Sequence, residues 1–139
     1  MATTKEQALA NVKLFGQLNK RQASRLARIA DLVKVGEGQV LVKQGARGRE
    51  LIVIVEGSAV VRRNNRKIAG LGPGDSLGEM SLLDRQPVAA TVVTTEPCEL
   101  LVIDGRRFDD ELVNLPGLAR NLLAELSARL REANKTLDL

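Results

Sequence analysis

The chain has no histidine, tryptophan or tyrosine, one cysteine and two phenylalanines in 139 residues. Each absence closes a route. A single cysteine cannot form an intramolecular disulfide, and without histidine no zinc site of the Cys/His type can be assembled within one chain. A lone thiol, Cys98, fits a reducing compartment and reads as a small core or edge residue of an apolar strand. Histidine is also the usual general base near neutral pH, and no serine here sits in a nucleophile-elbow pattern. Asp109, Asp110 and Glu111 are neighbours, but successive helical residues splay around the axis and do not converge. The chain therefore reads as a non-enzyme without cofactor or metal. No apolar run approaches eighteen residues and no secretory segment opens the chain, so the expected location is cytoplasmic, away from the membrane. With Phe15 and Phe108 as its only aromatics, the core has to be built from Leu, Val, Ile and Ala.

The length suits one domain that can bury a proper core. Twenty-one basic residues face seventeen acidic ones, and the surplus is confined to the first thirty-seven residues, a modest excess of the kind a solvated face carries.

Periodicity divides the chain into three. Residues 1–32 read as helical: Ala8, Val12 and Phe15 recur at helical spacing, Gly16 breaks the pattern, and Asn19 with Gln22 forms a capping box. The helix that follows would bury Leu26, Ile29 and Ala30 and turn Arg21, Arg25 and Arg28 to solvent. Residues 33–103 alternate, with short β-branched runs punctuated by Gly, Asn and Gly-Pro-Gly-Asp turns, the pattern of an antiparallel roll. Asn64-Asn65 predicts a two-residue hairpin, and the unbroken apolar run 51–55 predicts a strand packed on both faces. Residues 104–139 return to helix, with Asp104 as a cap and Pro116 expected in the first turn of a second helix. There Leu118, Leu122, Leu126 and Leu130 fall every four residues, with Leu115 and Leu123 beside them. A four-residue period drifts faster than a heptad, which argues against a long coiled coil.

The richest segment is Gly-Glu-Met-Ser-Leu-Leu-Asp-Arg-Gln-Pro-Val-Ala-Ala-Thr-Val-Val, residues 78–93. Gly78 lets backbone approach a ligand, and residues 79–83 can make one helical turn whose free N–H groups attract an anion. Small Ala89 and Ala90 permit close approach from the other side. Glu79 would repel a phosphate, but it can accept a hydrogen bond from a hydroxyl.

This stretch resembles the phosphate-binding cassette of cyclic-nucleotide-binding domains, as in catabolite-activator-type regulators and kinase regulatory subunits. The similarity extends over roughly residues 12–133, through the glycine-punctuated runs 33–45, 50–57 and 71–75 and the strand 98–103. The resemblance implies an α+β fold: an antiparallel, jelly-roll-like β-roll (33–103, cassette 78–91) flanked by N-terminal and C-terminal helices. It implies a ligand site at Gly78, Glu79, Met80, Ser81, Arg85, Val88, Ala89, Ala90 and Thr91, with Glu79 toward the ribose, and a terminal helix that closes over the base or forms a dimer contact. With no aromatic to stack on a purine, base contacts would fall to residues such as Arg131, Asn134 or Lys135.

One departure stands out. Where the family carries an arginine before the small pair, this chain has Val88. A charge-assisted contact contributes roughly 1.5–3 kcal/mol net, so its loss weakens binding about ten- to a hundredfold. Arg85, three residues earlier, is either a substitute cation or a solvent-exposed loop arginine. Two readings follow. In the first, the chain is a stand-alone regulatory module that binds a cyclic nucleotide, cAMP foremost, and signals through its C-terminal helices to a protein partner or a second copy. In the second, it is a degenerate roll that has lost nucleotide binding and works as an interaction or assembly module through the leucine stripe. No helix-turn-helix follows the roll, so direct DNA binding is not expected.

Overall fold

Thr4 and Asn19 each accept a hydrogen bond from the backbone N–H three residues on. The side chain at that third position, Gln7 or Gln22, accepts one from the cap's own N–H. These capping boxes start α1 (Lys5–Ala10) and α2 (Lys20–Ile29), separated by a 3₁₀ turn at Lys13–Phe15. The computed structural model describes residues 4–137. Ala8, Val12 and Phe15 do not share one helix as their spacing suggested: α1 ends at Ala10, Val12 caps the 3₁₀ turn and Phe15 closes it, and all three are buried.

The roll begins at Ala30, three residues earlier than the periodicity suggests. Ala30 takes extended dihedrals and pairs with Ile103, so it enters the core from a strand and not from α2. Eight strands follow: β1 (Ala30–Val35), β2 (Val40–Val42), β3 (Glu50–Glu56), β4 (Ala59–Arg63), β5 (Arg66–Leu71), β6 (Ser76–Leu77), β7 (Thr91–Thr94) and β8 (Cys98–Asp104). They form two four-stranded sheets, ordered β1-β8-β3-β6 and β2-β7-β4-β5, and every ladder is antiparallel. The expected α+β architecture of a jelly-roll-like β-roll between helices is thus what the chain forms. Asn64 and Asn65, at φ 52° and 65°, make the β4–β5 hairpin turn, and Leu51, Ile52, Val53 and Ile54 of β3 are all buried.

The short helix α3 (Glu79–Asp84) interrupts the roll between β6 and β7. After β8, the Asp104 carboxylate accepts from the Arg107 N–H and starts α4 (Gly105–Asn114). Pro116 lies outside the next helix, α5 (Leu118–Thr136), whose cap is Gly117 at φ 81°. The reason is tertiary: the Pro116 carbonyl accepts from the Gln22 side-chain amide at 3.0 Å, while Gln22 Oε1 accepts from Asn121 at 2.7 Å. Buried Gln22 thereby ties α2, the 115–117 turn and α5 together.

The leucine stripe splits along its length. Leu118 and Leu122 enter a core shared with α1, α2, β3, β8 and Phe108, and Leu126 is half-buried. Leu123, Leu130 and Leu137 stay exposed, at intervals of seven residues, so the exposed set has the heptad spacing that the full stripe lacks. Of the three arginines expected in solvent, Arg25 instead meets the buried Glu111 carboxylate at 3.3 Å. Among the described residues no helix is long and apolar enough to cross a membrane.

Candidate functional site

The 78–91 segment is held by backbone on one side and by a crossing strand on the other. Gly78 caps α3 at φ 89°, and a Cβ there would run into the carbonyl of Glu50. Gly48 lies equally close: a Cβ would come within 2.6 Å of Ser81 Cβ and 3.6 Å of a Val88 methyl. The Gly105 N–H donates to the Arg49 carbonyl at 2.9 Å. Residues 48–50 are therefore pressed between α3, Val88 and the start of α4. Farther along, the Gly45 N–H donates to the Val88 carbonyl and the Val88 N–H to the Ala46 carbonyl, both at 2.8 Å, and Arg47 bridges Pro87.

Glu79, in the first turn of α3, is buried. One carboxylate oxygen meets Arg129 of α5 at 3.4 Å, and the other has no hydrogen-bond partner among the described residues. Burial pushes the Glu79 carboxyl above its ordinary value; its own backbone N–H and the Arg129 guanidinium pull the other way. A buried acceptor without a donor is costly, and a hydroxyl donor would remove that cost. Arg129 was not legible as a site residue: it is fifty positions away, and only the docking of α5 brings it here.

Val88 is buried and lines a cavity of about 230 Å³ with Leu41, Val42 and Ile52, rimmed by Lys43, Arg47, Arg49 and Glu50. Arg85 does not reach that cavity. It is exposed at the end of α3, with φ 58°, and lines a separate depression of about 620 Å³ with Ser81, Gln86, Asp104 and Arg106. The larger depression contains more charge and is lined by Ser81, Leu82, Arg85 and Gln86 of the cassette, but Val88 lines only the smaller one. Position 88 therefore identifies the smaller cavity as the candidate anion subsite. Arg47 and Arg49 line both.

The other expected residues are distributed around this centre. Ala90 is buried and Ala89 exposed, its carbonyl accepting from Arg63 at 3.2 Å. The Thr91 hydroxyl accepts from the Gln44 N–H, fixing the cassette to the 43–46 turn. Met80 lies in α3, one residue beyond Glu79. Arg131, Asn134 and Lys135 sit near the end of α5, where Lys135 pairs with Glu132 and none of the three lines either cavity.

Comparison with known proteins gives a consistent picture. Residues 32–114, more than half of the chain, match the family model described as cyclic nucleotide-binding domain. The cyclic AMP receptor protein of Thermus thermophilus is 38% identical over 108 residues, covering 74% of this chain and 50% of that protein. The Pycsar effector protein XpPycTIR of Xanthomonas perforans is 33% identical over 113 residues, covering 81% of this chain and 37% of that one. The chain thus spans half or less of the length of these relatives. Among solved structures, the catabolite activator protein of Thermus thermophilus superposes with a TM-score of 0.76 at 33% identity, covering 91% of this chain and 62% of that one.

Proposed function

The chain belongs to the cyclic nucleotide-binding domain family, and we propose that it is a regulatory module that binds a cyclic nucleotide, cAMP foremost, and reports it through α5. The observation that carries this reading is the buried Glu79 carboxylate, with one oxygen lacking a donor at the head of the cassette helix and the other on Arg129 of α5. A ribose hydroxyl donating to Glu79 competes with or reinforces Arg129, and either way the ligand acts on α5. Relatives named as a cyclic AMP receptor protein and a cGMP-dependent protein kinase support the ligand class. Calorimetric titration with cAMP and with cGMP tests it: saturable heat with cAMP is expected. Silence with both would leave the roll as an interaction module, the reading that Val88 favours.

Coupling to the helices has its own expected result. Ligand shifts an equilibrium only by its differential affinity for two states, so cAMP should perturb amide resonances both in 78–91 and beyond Asp104, into α4 and α5. Perturbations that stop at Thr91 would remove the reporting role.

The partner surface we assign to α5 is the exposed pair Leu123 and Leu130, which fits the same pair of a second copy because seven-residue spacing lets two helices stay in register. Sedimentation should then show a dimer, and Leu123→Glu with Leu130→Glu a folded monomer. A wild-type monomer at calorimetric concentrations would exclude this interface.

A further inference from the structure

We infer that the charge missing at position 88 has moved across the cavity, and that Arg47 and Arg49 of the crossing segment hold the ligand's phosphate. The inference rests on the nucleotide-binding reading above and specifies its anion subsite.

Geometry places the two arginines there. A Cβ on Gly48 would collide with Ser81 of α3 at 2.6 Å and would lie in van der Waals contact with a Val88 methyl at 3.6 Å. The two neighbours of Gly48 therefore project from within one residue of the place where the cassette cation would stand. Backbone pairing fixes the segment on both flanks, through Ala46 to Val88, Arg47 to Pro87 and the Arg49 carbonyl to Gly105. Both arginines line the cavity that contains Val88, and neither forms an ion pair among the described residues. The lining also includes Lys43 and one carboxylate, Glu50, so three cations stand against one anion.

Physical chemistry selects arginine for the task. A valine beside a desolvated phosphate leaves its charge uncompensated, which a binding site cannot sustain without a cation nearby. The guanidinium is always charged and presents a fork of donors matched to phosphate oxygens, often in pairs. Arg85, the nearest cation in sequence, lines only the other depression, whereas Arg47 and Arg49 also line the cavity with Val88.

The test is calorimetry on the full chain with cAMP, and with adenosine as a probe that has no phosphate. Arg47→Ala with Arg49→Ala should lower cAMP affinity about ten- to a hundredfold and leave adenosine binding unchanged. Val88→Arg added to that double variant should restore tenfold or more, while Arg85→Ala alone should stay within about twofold of wild type. Both arginines are exposed, so the double variant is expected to keep its circular dichroism melting curve. If wild type binds cAMP and the double variant binds it equally well, the subsite assignment is overturned and the functional reading stands. If wild type binds neither cAMP nor adenosine, the functional reading falls and the subsite falls with it.

Discussion

Gly78→Ala is expected to lower the melting midpoint by about 10 °C and to abolish measurable cAMP binding. Two costs combine. At φ 89° an alanine is in the left-handed region, which costs roughly 1–2 kcal/mol, and its methyl collides with the Glu50 carbonyl, a backbone atom of the central strand β3. Overpacking of that kind costs typically ~1–3 kcal/mol, and β3 cannot yield easily because it pairs with β8 along most of its length. Relief must come from α3, so Glu79 leaves its place and the cassette opens. Gly36→Ala is the matched control, since a Cβ there meets nothing within 4 Å. Thermal melts of the two variants decide the point: equal midpoints would mean that the 78–50 contact does not constrain the cassette.

Glu79→Ala should separate binding from stability. Loss of a hydrogen bond to a charged acceptor costs about 1.5–3 kcal/mol, or roughly ten- to a hundredfold in cAMP affinity. Folding should change little, because the carboxylate is buried with one oxygen unpartnered and its pairing to Arg129 at 3.4 Å only partly offsets desolvation. The informative pattern is therefore a large fall in affinity with a nearly constant melting midpoint. Unchanged affinity would remove Glu79 from the ribose, and a collapsed midpoint would make it a folding residue.

What could be read from the chain was local chemistry. The Asn19–Gln22 box, the Asp104 cap, the Asn64-Asn65 turn and the short helix after Gly78 each depend on residues within a few positions of one another, and each forms as expected. What could not be read was set by packing between distant segments. Pro116 missed its helix because Gln22 captures its carbonyl from ninety-four residues away. Arg25 read as surface charge, but α4 brings Glu111 against it, and Arg129, which no local pattern singles out, reaches Glu79 only because α5 docks beside α3. Arg47 and Arg49 sit in a glycine-flanked loop whose pattern signals only a turn; their place beside Val88 emerges from antiparallel pairing across the roll. The leucine stripe misled in the same way. Its period was read over all its members, whereas burial of Leu118 and Leu122 leaves a different, heptad-spaced subset outside.

The Gln22 junction gives α5 a fixed end and a free one. Asn121 is bonded to Gln22 and Leu122 is buried beside it, so the helix is pinned near its start. Arg129 stands eight residues farther along, an arm of about 12 Å at 1.5 Å per residue, so a tilt of roughly 10° swings it by about 2 Å. That is enough to break a 3.4 Å contact with Glu79 while the pinned leucines keep their seats. A ligand that rearranged this one contact in the cassette would thereby displace α5 by an amount that grows toward its far end, where Leu130 is exposed.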